Sequence, residues 1–261
     1  MALVTFHIDD KLGILTLSNP PLNLMTWEMI DQFETAVREV AASPIRALLI
    51  RAEGPHFMAG ANVGMFKDVP AAQARATFSR SIPVLNRIEQ LPYPTIAATQ
   101  GFCMAAGLEL ALTADIIVAG ESTRFAQVEV HIGTSTLLGG AERLALRAGP
   151  ARARQIVFDG EQFTAQQFAS WNIINHVVRD DDLQEFALSL ASRYASGPTQ
   201  AYAVGKTLIR AATEAAISNA DRVLLDTAPR LFETEDMQHG VNALLEHGSR
   251  AVIGKVQFRG R

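Results

Sequence analysis

The segment 96–140 restricts the possible folds most strongly, because its apolar runs are separated by turns of small residues. Residues 95–120 are apolar enough to suggest a membrane-spanning helix, but Gln100, Glu109 and Asp115 interrupt them. A charged side chain at the centre of a bilayer is costly, so these interruptions disfavour a span. The segment therefore predicts a buried core of short strands and helices, with no membrane association.

The turn at 105–107 places small residues directly before a helical pattern that carries Glu109. The first amides of a helix have no partner within it, and the helix dipole favours negative charge there. Ala and Gly would let a ligand oxygen reach those amides, and a second acid, Glu129, follows twenty positions after Glu109. This combination is suited to moving protons beside a developing negative charge. Taken singly, the same residues also fit a buried helix and a surface carboxylate.

Composition narrows the class of protein. The chain has 261 residues, 48% hydrophobic and 19% charged, as expected of a compact enzyme with one or two domains. The net charge of −4 gives no electrostatic reason to expect binding to nucleic acid. The single cysteine, Cys103, excludes an internal disulfide, and no secretory signal pattern is visible, so we expect a cytoplasmic protein. The six histidines are scattered and predict no metal site.

The order of strands and helices predicts an α/β fold. Residues 4–8 and 12–17 are typical of a β-hairpin, Thr26 is suited to cap the helix that follows, and 47–50 form a short apolar strand. The loop after that strand ends in the small residues 59–61, the second place where backbone amides could face a ligand.

Further helical patterns follow from residue 70 onward. We expect a helix from Pro70, capped by Asp68 and kinked or broken at Pro83. Further predicted features are helices at 139–147, 151–159, 183–195, 199–212, 220–232 and 235–245, a capping box at Thr164 and Gln167, and a last strand at 173–178. Because no strand pattern appears after residue 182, we divide the chain into a core at 1–195 and a helical part at 196–261.

Four motifs follow one another along the chain. They are FMAGANV at 57–63, GLELA at 107–111, ADIIVA at 114–119 and FAQVEVHIG at 125–133. Together they resemble the signature of the crotonase superfamily, the enoyl-CoA hydratase/isomerase family, and the resemblance covers essentially the whole chain. It implies an α/β, crotonase-like spiral of repeated ββα units. It also implies a helical C-terminal trimerisation part, and hence a homotrimer or a homohexamer.

The resemblance also implies which residues act on an acyl-CoA thioester. The N–H groups of Ala61 and Ala106 would hold the thioester oxygen as negative charge builds on it. Glu109 would mainly activate water, and Glu129 would mainly supply a proton to Cα. Both carboxyls together favour an enoyl-CoA hydratase, a hydro-lyase that converts a 2-enoyl-CoA to a 3-hydroxyacyl-CoA. Such an enzyme needs no metal and no cofactor beyond the coenzyme A that the substrate carries.

By the same matching, several residues are implied in binding coenzyme A. They are Leu22, Ala59, Asn62 and Val63, beside Ala61 and Ala106. Two lysines of the family are replaced by Gly64 and His247, so Arg250 or Lys255 could supply the charge for the nucleotide phosphate. Simple solvation of these basic residues is the alternative. For His131 we expect a packed or hydrogen-bonded side chain, and for Cys103 a buried one, with no catalytic role for either.

One departure from the family pattern concerns the acyl pocket. Where hydratases usually carry Pro and Gly, this chain has Thr136 and Leu137. A leucine there would narrow or redirect the pocket, which leaves three alternatives open. The chain could be a Δ3,Δ2-enoyl-CoA isomerase with Glu129 as its main base, or an enzyme of decarboxylation or C–C cleavage. It could also be a non-catalytic acyl-CoA binding protein whose pocket is plugged by Leu137 and Leu138.

Overall fold

The computed structural model describes residues 2–66, 69–214, 234–236, 239, 246, 257 and 259–261. The strands are β1 Val4–Asp9, β2 Leu12–Leu17, β3 Ala47–Ala52, β4 Thr95–Thr99, β5 Phe102–Met104, β6 Ile116–Gly120, β7 Arg124–Ala126, β8 Phe163–Thr164 and β9 His176–Val178. The helices are α1 Trp27–Ala42, α2 Ala71–Glu89, α3 Ala106–Ala111, α4 Gly140–Ala148, α5 Pro150–Asp159, α6 Ala165–Ser170, α7 Leu183–Ala195 and α8 Thr199–Glu214. Short 3-10 turns lie at Val63–Phe66, Glu129–Ile132 and Asp180–Asp182.

The strands form two sheets. The larger has the order β1-β2-β3-β4-β6-β9, in which β1 and β2 are antiparallel and every later pair is parallel. The smaller has the order β5-β7-β8. Parallel neighbours require crossover connections, which α1 and α2 supply between β2, β3 and β4. The α/β prediction is therefore confirmed, and the turns that follow β3 and β4 leave from the same end of the sheet.

The central strands are buried on both faces. In β3, Leu48 and Ile50 pack into the cluster that contains α1, while Ala47 and Leu49 pack into a second cluster with α7. Successive side chains of a strand point to opposite faces, so a strand buried on both sides needs a continuous apolar run. Residues 95–120, which raised the possibility of a span, are β4, β5, α3 and β6 in this core.

Several helix ends are as predicted. The Thr26 side chain accepts a hydrogen bond from the Met29 N–H at 3.2 Å and caps α1. The capping box of Thr164 and Gln167 is present at the start of α6. Gly160 ends α5 in the left-handed conformation, with φ 63°.

Other expectations differ from the structure. The helix does not break at Pro83, one of the two alternatives expected, since α2 runs through it from Ala71 to Glu89; a kink there stays a prediction. Both Pro83 and Ser79, the residue whose carbonyl loses its partner, are exposed, so water can satisfy that carbonyl. The last strand, β9, is shorter than predicted, and the small sheet was not predicted at all.

Part of the C-terminal prediction lies outside the described residues. The helices α7 and α8 confirm the patterns at 183–195 and 199–212. The predicted helices at 220–232 and 235–245, and the cap at Asp68, fall largely or wholly on residues that the structure does not describe. The division at residue 195 and the trimerisation role of the C-terminal part stay predictions.

Candidate active site

One cavity of about 190 Å³ brings together most of the predicted site residues. It lies between the turns that follow the sheet and the helices α1 and α2. The predicted residues that line it are Ala59, Ala61, Val63, Ala106, Glu109 and Glu129. Most of the remaining wall is apolar, and it includes Trp27, Ile30, Phe66, Phe78, Ile132 and Leu137. The two carboxyl groups therefore open into an apolar space.

The two small-residue turns lie side by side. The Met104 N–H donates to the Met58 carbonyl at 2.9 Å, in a parallel bridge between residues 58 and 103. Gly60 packs against Ala105, where an added Cβ would lie 3.2 Å from the alanine methyl. A side chain at Gly107 would collide with the carbonyl of Met58. Small residues are thus required for the close approach of these two backbones.

Two amides in these turns have no hydrogen-bond acceptor among the described residues. Among the residues that the structure describes, the N–H groups of Ala61 and Ala106 donate no hydrogen bond. The neighbours of Ala61 pair with Met25, whose N–H donates to the Gly60 carbonyl at 2.9 Å and whose carbonyl accepts from Asn62 at 2.9 Å. Ala106 is the first residue of α3, where amides lack a helical partner. Both residues line the cavity, so their N–H groups are available to a ligand oxygen there.

Ala105 has an unusual backbone conformation. Its φ is 48° and its ψ is −123°, a region that residues with a Cβ rarely occupy. Its own N–H donates to the Ala126 carbonyl at 2.9 Å, which fixes the turn against β7. Local strain of this kind costs about 1–3 kcal/mol and occurs mainly at functional sites. The strained residue stands directly before Ala106.

Glu109 lies one turn inside α3 and is 2% exposed. One carboxyl oxygen, Oε1, accepts hydrogen bonds from the Leu138 N–H at 2.8 Å and the Gly140 N–H at 3.0 Å. Burial raises the pKa of Glu109 above its usual value, and the two backbone donors and the Arg143 charge oppose that rise. The carboxyl group is therefore fixed in place by donors that favour its ionised form.

Glu129 begins a 3-10 turn and is partly exposed. Burial raises its pKa from 4.5 to about 7, and the charge of Glu109 adds to the rise. The amide of buried Gln127, with its nitrogen toward the acid, donates to both carboxyl oxygens of Glu129, at 2.9 and 3.0 Å. That orientation is assigned from the hydrogen-bond network. Gln127 lies in the FAQVEVHIG motif, but the sequence analysis gave it no role.

The two glycines at the start of α4 were also missed as site residues. A side chain at Gly140 would collide with the Gln127 amide and would bring a Cβ within 2.9 Å of Glu109 Cγ. Gly139 has φ 93°, a conformation that favours glycine. Their contacts join residues far apart in the chain, so no local pattern could have revealed them.

The departure at 136–138 does not close the cavity. Leu137 and Leu138 line it, and the open volume remains beside them. The Thr136 hydroxyl accepts a hydrogen bond from the Ala141 N–H at 3.2 Å and supports the start of α4. This arrangement gives no support to a pocket plugged by leucine.

Two predicted coenzyme A residues do not line the cavity. The Leu22 carbonyl accepts from the Ala59 N–H at 3.0 Å, so the backbone of Leu22 supports the turn. The exposed Asn62 accepts from the Gly64 N–H at 3.0 Å through its side chain. Their contact with coenzyme A stays a prediction. His247, Arg250 and Lys255 lie outside the described residues.

Two other candidates are hydrogen-bonded or buried, as expected: His131 is exposed with one ring contact, and Cys103 is packed. A ring nitrogen of His131, Nε2, lies 3.0 Å from the Gly160 carbonyl oxygen. Cys103 is fully buried, and burial raises the pKa of its thiol well above the usual value, so it is not a ready nucleophile. In the part of the chain that the structure describes, no cluster of three or more His, Cys, Asp or Glu could hold a metal ion. No described helix has both the length and the apolarity needed to cross a bilayer.

Comparison with known proteins identifies the family. A family model described as enoyl-CoA hydratase/isomerase matches residues 7–252. The chain is 28% identical over 250 residues to crotonyl-CoA hydratase of Syntrophomonas wolfei, covering 95% of this chain and 96% of that one. It is 27% identical over 246 residues to short-chain-enoyl-CoA hydratase of Clostridium acetobutylicum, covering 93% and 94%.

Solved structures agree with the sequence relatives. An enoyl-CoA hydratase subunit I from Geobacillus kaustophilus superposes with a TM-score of 0.90 and 26% identity, over 99% of this chain and 98% of that one. Pseudomonas aeruginosa DspI superposes with a TM-score of 0.88 and 27% identity, over 94% and 95%. The chain therefore has the crotonase fold and belongs to the enoyl-CoA hydratase/isomerase family, as an enzyme of the crotonase superfamily.

Proposed function

We propose that the protein hydrates a 2-enoyl-CoA thioester to the 3-hydroxyacyl-CoA. The observation that carries this proposal is that two carboxyl groups and two backbone amides line one apolar cavity, and that neither amide has an acceptor within the described part of the chain. An acyl chain fits the apolar wall, and the thioester oxygen fits the amides. An isomerase needs only one carboxyl group, so the presence of both favours hydration.

The two amides would stabilise the transition state. As water adds to C3 of the substrate, negative charge moves onto the thioester oxygen. The N–H groups of Ala61 and Ala106 would donate to that oxygen from turns whose backbone positions are already fixed. One such donor is worth about 3–4 kcal/mol of transition-state stabilisation in other enzymes.

The carboxyl groups would share the proton transfers. Glu109 accepts two backbone hydrogen bonds at one oxygen, which favours its ionised form and suits it to take a proton from water. Glu129, with a pKa of about 7 beside that negative charge, would hold a proton for C2. Water thus supplies OH to C3 and a proton to Glu109, while Glu129 loses a proton to C2. Return of one proton from Glu109 to Glu129 restores the pair.

Specific sites for coenzyme A are part of the proposal. Ala59 and Val63 line the cavity and would contact the pantetheine or adenine portion, with Leu22 and Asn62 beside them. Assembly as a homotrimer or homohexamer is a further expectation that size-exclusion chromatography with light scattering can test.

A substrate screen tests the proposed function. Purified protein is mixed with 2-enoyl-CoA esters of short, medium and long acyl chains, and with a matched 3-enoyl-CoA. We expect loss of the enoyl thioester absorbance with the 2-enoyl esters. Conversion of the 3-enoyl ester alone would support the isomerase. Calorimetric binding of a saturated acyl-CoA without any turnover would support the binding protein and overturn the proposal.

A further inference from the structure

Arg143 on α4 is a buried cation that the mechanism above does not use. It is 8% exposed, and its guanidinium donates five hydrogen bonds. Nε and Nη2 bind the two carboxylate oxygens of Glu89 at 2.9 and 2.8 Å, and Nη2 also donates to the Asn86 side chain at 2.9 Å. Nη1 donates to the carbonyls of Leu138 at 2.9 Å and Gly139 at 3.1 Å. The guanidinium therefore joins α2 to the segment 138–140.

The other side of that segment holds Glu109. The N–H groups of Leu138 and Gly140 both donate to Glu109 Oε1. The peptide group between Gly139 and Gly140 is shared, because its oxygen accepts from Arg143 and its N–H donates to Glu109. Hydrogen bonds in such a chain polarise one another. A single peptide group thus lies between the guanidinium and the carboxyl group.

The glycines make this arrangement possible. A Cβ on Gly139 would collide with Nη1 of Arg143, and a Cβ on Gly140 would collide with the Gln127 amide beside Glu109. Each glycine therefore leaves room for one of the two linked groups.

We propose that Arg143 is a positioning residue for Glu109. By binding Glu89 and Asn86 on α2, Arg143 would hold the segment 138–140 in place. The amides of Leu138 and Gly140 would then keep the Glu109 carboxyl oriented for its reaction with water. This inference rests on the proposed function, and it assigns Arg143 no contact with substrate.

The charges around Glu109 give the proposal a measurable signature. The Arg143 charge lowers the pKa of Glu109, while Glu142 raises it. Glu129 lines the same cavity as Glu109 and interacts with its charge, and Glu89 is ion-paired with the guanidinium of Arg143. Loss of the Arg143 charge should raise the pKa of Glu109. Loss of the Glu89 charge should lower the pKa of Glu109, because the positive charge of Arg143 is then no longer neutralised by Glu89.

The experiment compares Arg143→Met, Arg143→Lys and Glu89→Gln by the pH profile of kcat/KM. We expect Arg143→Met to lower kcat about tenfold or more, because small displacements of a catalytic group are costly. The acid limb of the kcat/KM profile, which reports the pKa of Glu109, should move to higher pH in Arg143→Met and to lower pH in Glu89→Gln. Arg143→Lys keeps the charge but not the fork of donors, so its acid limb should stay near the wild type while kcat stays reduced.

Arg147→Met is the matched control. Arg147 lies one turn later on α4 and donates to the carbonyls of Ile173, at 3.0 Å, and Ala114, away from the segment 138–140. We expect Arg147→Met to lower the melting temperature without a shift of the acid limb of kcat/KM. If Arg147→Met moves the limb as far as Arg143→Met, or if Arg143→Met and Glu89→Gln move it in the same direction, the proposal is overturned.

A second measurement does not depend on turnover. The carboxyl carbon of Glu109 can be titrated by NMR in protein labelled with 13C-glutamate and assigned with Glu109→Gln. If no enoyl-CoA is hydrated by the wild type, the proposed function fails, and this titration still decides the role of Arg143. A pKa of Glu109 that is higher in Arg143→Met and lower in Glu89→Gln than in the wild type, with Arg143→Lys near the wild type, supports the proposal, and any other order overturns it.

Discussion

The two carboxyl groups of the cavity are held in different ways. Glu109 lies on a helix, is almost fully buried, and accepts two backbone N–H donors at one oxygen. Glu129 lies on a 3-10 turn, is partly exposed, and meets the side chain of Gln127. Backbone donors are fixed by the fold, whereas a side-chain amide can rotate. In the proposed mechanism, the difference corresponds to a base that is fixed in place and an acid that solvent can reach.

Substitution of Glu109, the proposed base, should have the largest effect on activity. In Glu109→Gln the side-chain oxygen can still accept from Leu138 and Gly140, but it cannot take a proton from water. We expect kcat for hydration to fall by about 10²–10⁴ with the fold retained, while any isomerase activity through Glu129 is spared. Absorbance assays on 2- and 3-enoyl esters measure both. The exposed Glu121→Gln is the control, and unchanged hydration in Glu109→Gln would remove Glu109 from the mechanism.

A steric change at Gly140 should have the next largest effect. Ala at this position would push the Glu109 carboxyl away from its place, because the added Cβ lies within 2.9 Å of Glu109 Cγ. We expect kcat to fall about 10²-fold, as for other small displacements of catalytic groups. Gly205→Ala is the matched control, since nothing lies within 4 Å of its added Cβ. Full activity of Gly140→Ala would show that the position of Glu109 is not critical.

Removal of the Gln127 amide tests the proposed role of Glu129 as the acid. Gln127→Leu takes away donors to the ionised form of Glu129, so the pKa of Glu129 should rise further from about 7. If Glu129 acts as the acid, the alkaline limb of kcat/KM should move to higher pH, with kcat lowered about tenfold. The same profile should leave the acid limb, which reports Glu109, in place. A shift of the acid limb alone would reverse the roles of the two groups.

The smallest expected effect is on stability. Between pH 4.5 and about 7 the unfolded chain loses the Glu129 proton while the folded chain keeps it, so Glu129 lowers stability as the pH rises. Glu129→Gln removes this loss. The free energy of unfolding of the variant is compared with that of the wild type at two pH values. Allowing for the partial exposure of Glu129, we expect the variant's advantage to be larger at pH 8 than at pH 4, by on the order of 1 kcal/mol. Chemical denaturation at the two pH values measures it. If the free energies of unfolding of the variant and the wild type differ by the same amount at both pH values, the pKa of Glu129 is not raised in the folded protein.

Features set by neighbouring residues were predictable from the sequence. The hairpin, the Thr26 cap and the capping box at Thr164 depend on patterns a few residues long, and the structure confirms them. The buried strands followed from apolar runs. The small sheet was missed because β5, β7 and β8 have only two or three residues each, too few to show a period.

Features set by distant contacts were not predictable in the same way. The two acids were singled out by the motif, but the donors to Glu109 come from a segment about thirty positions later that carried no chemical signal. The helix does not break at Pro83, the more drastic of the two alternatives expected there, because water can satisfy the exposed carbonyl that proline leaves without a donor. The roles of Gly140 and Arg143 depend on tertiary packing, which local patterns do not encode.

The most direct test of the account is a crystal structure of the protein with a saturated acyl-CoA, which can bind but cannot be hydrated. The account predicts the thioester oxygen within about 2.7–3.1 Å of the backbone nitrogens of both Ala61 and Ala106, with the Glu109 and Glu129 carboxyls facing C2 and C3. A thioester bound to only one of these amides, or an acyl chain outside the cavity, would contradict it.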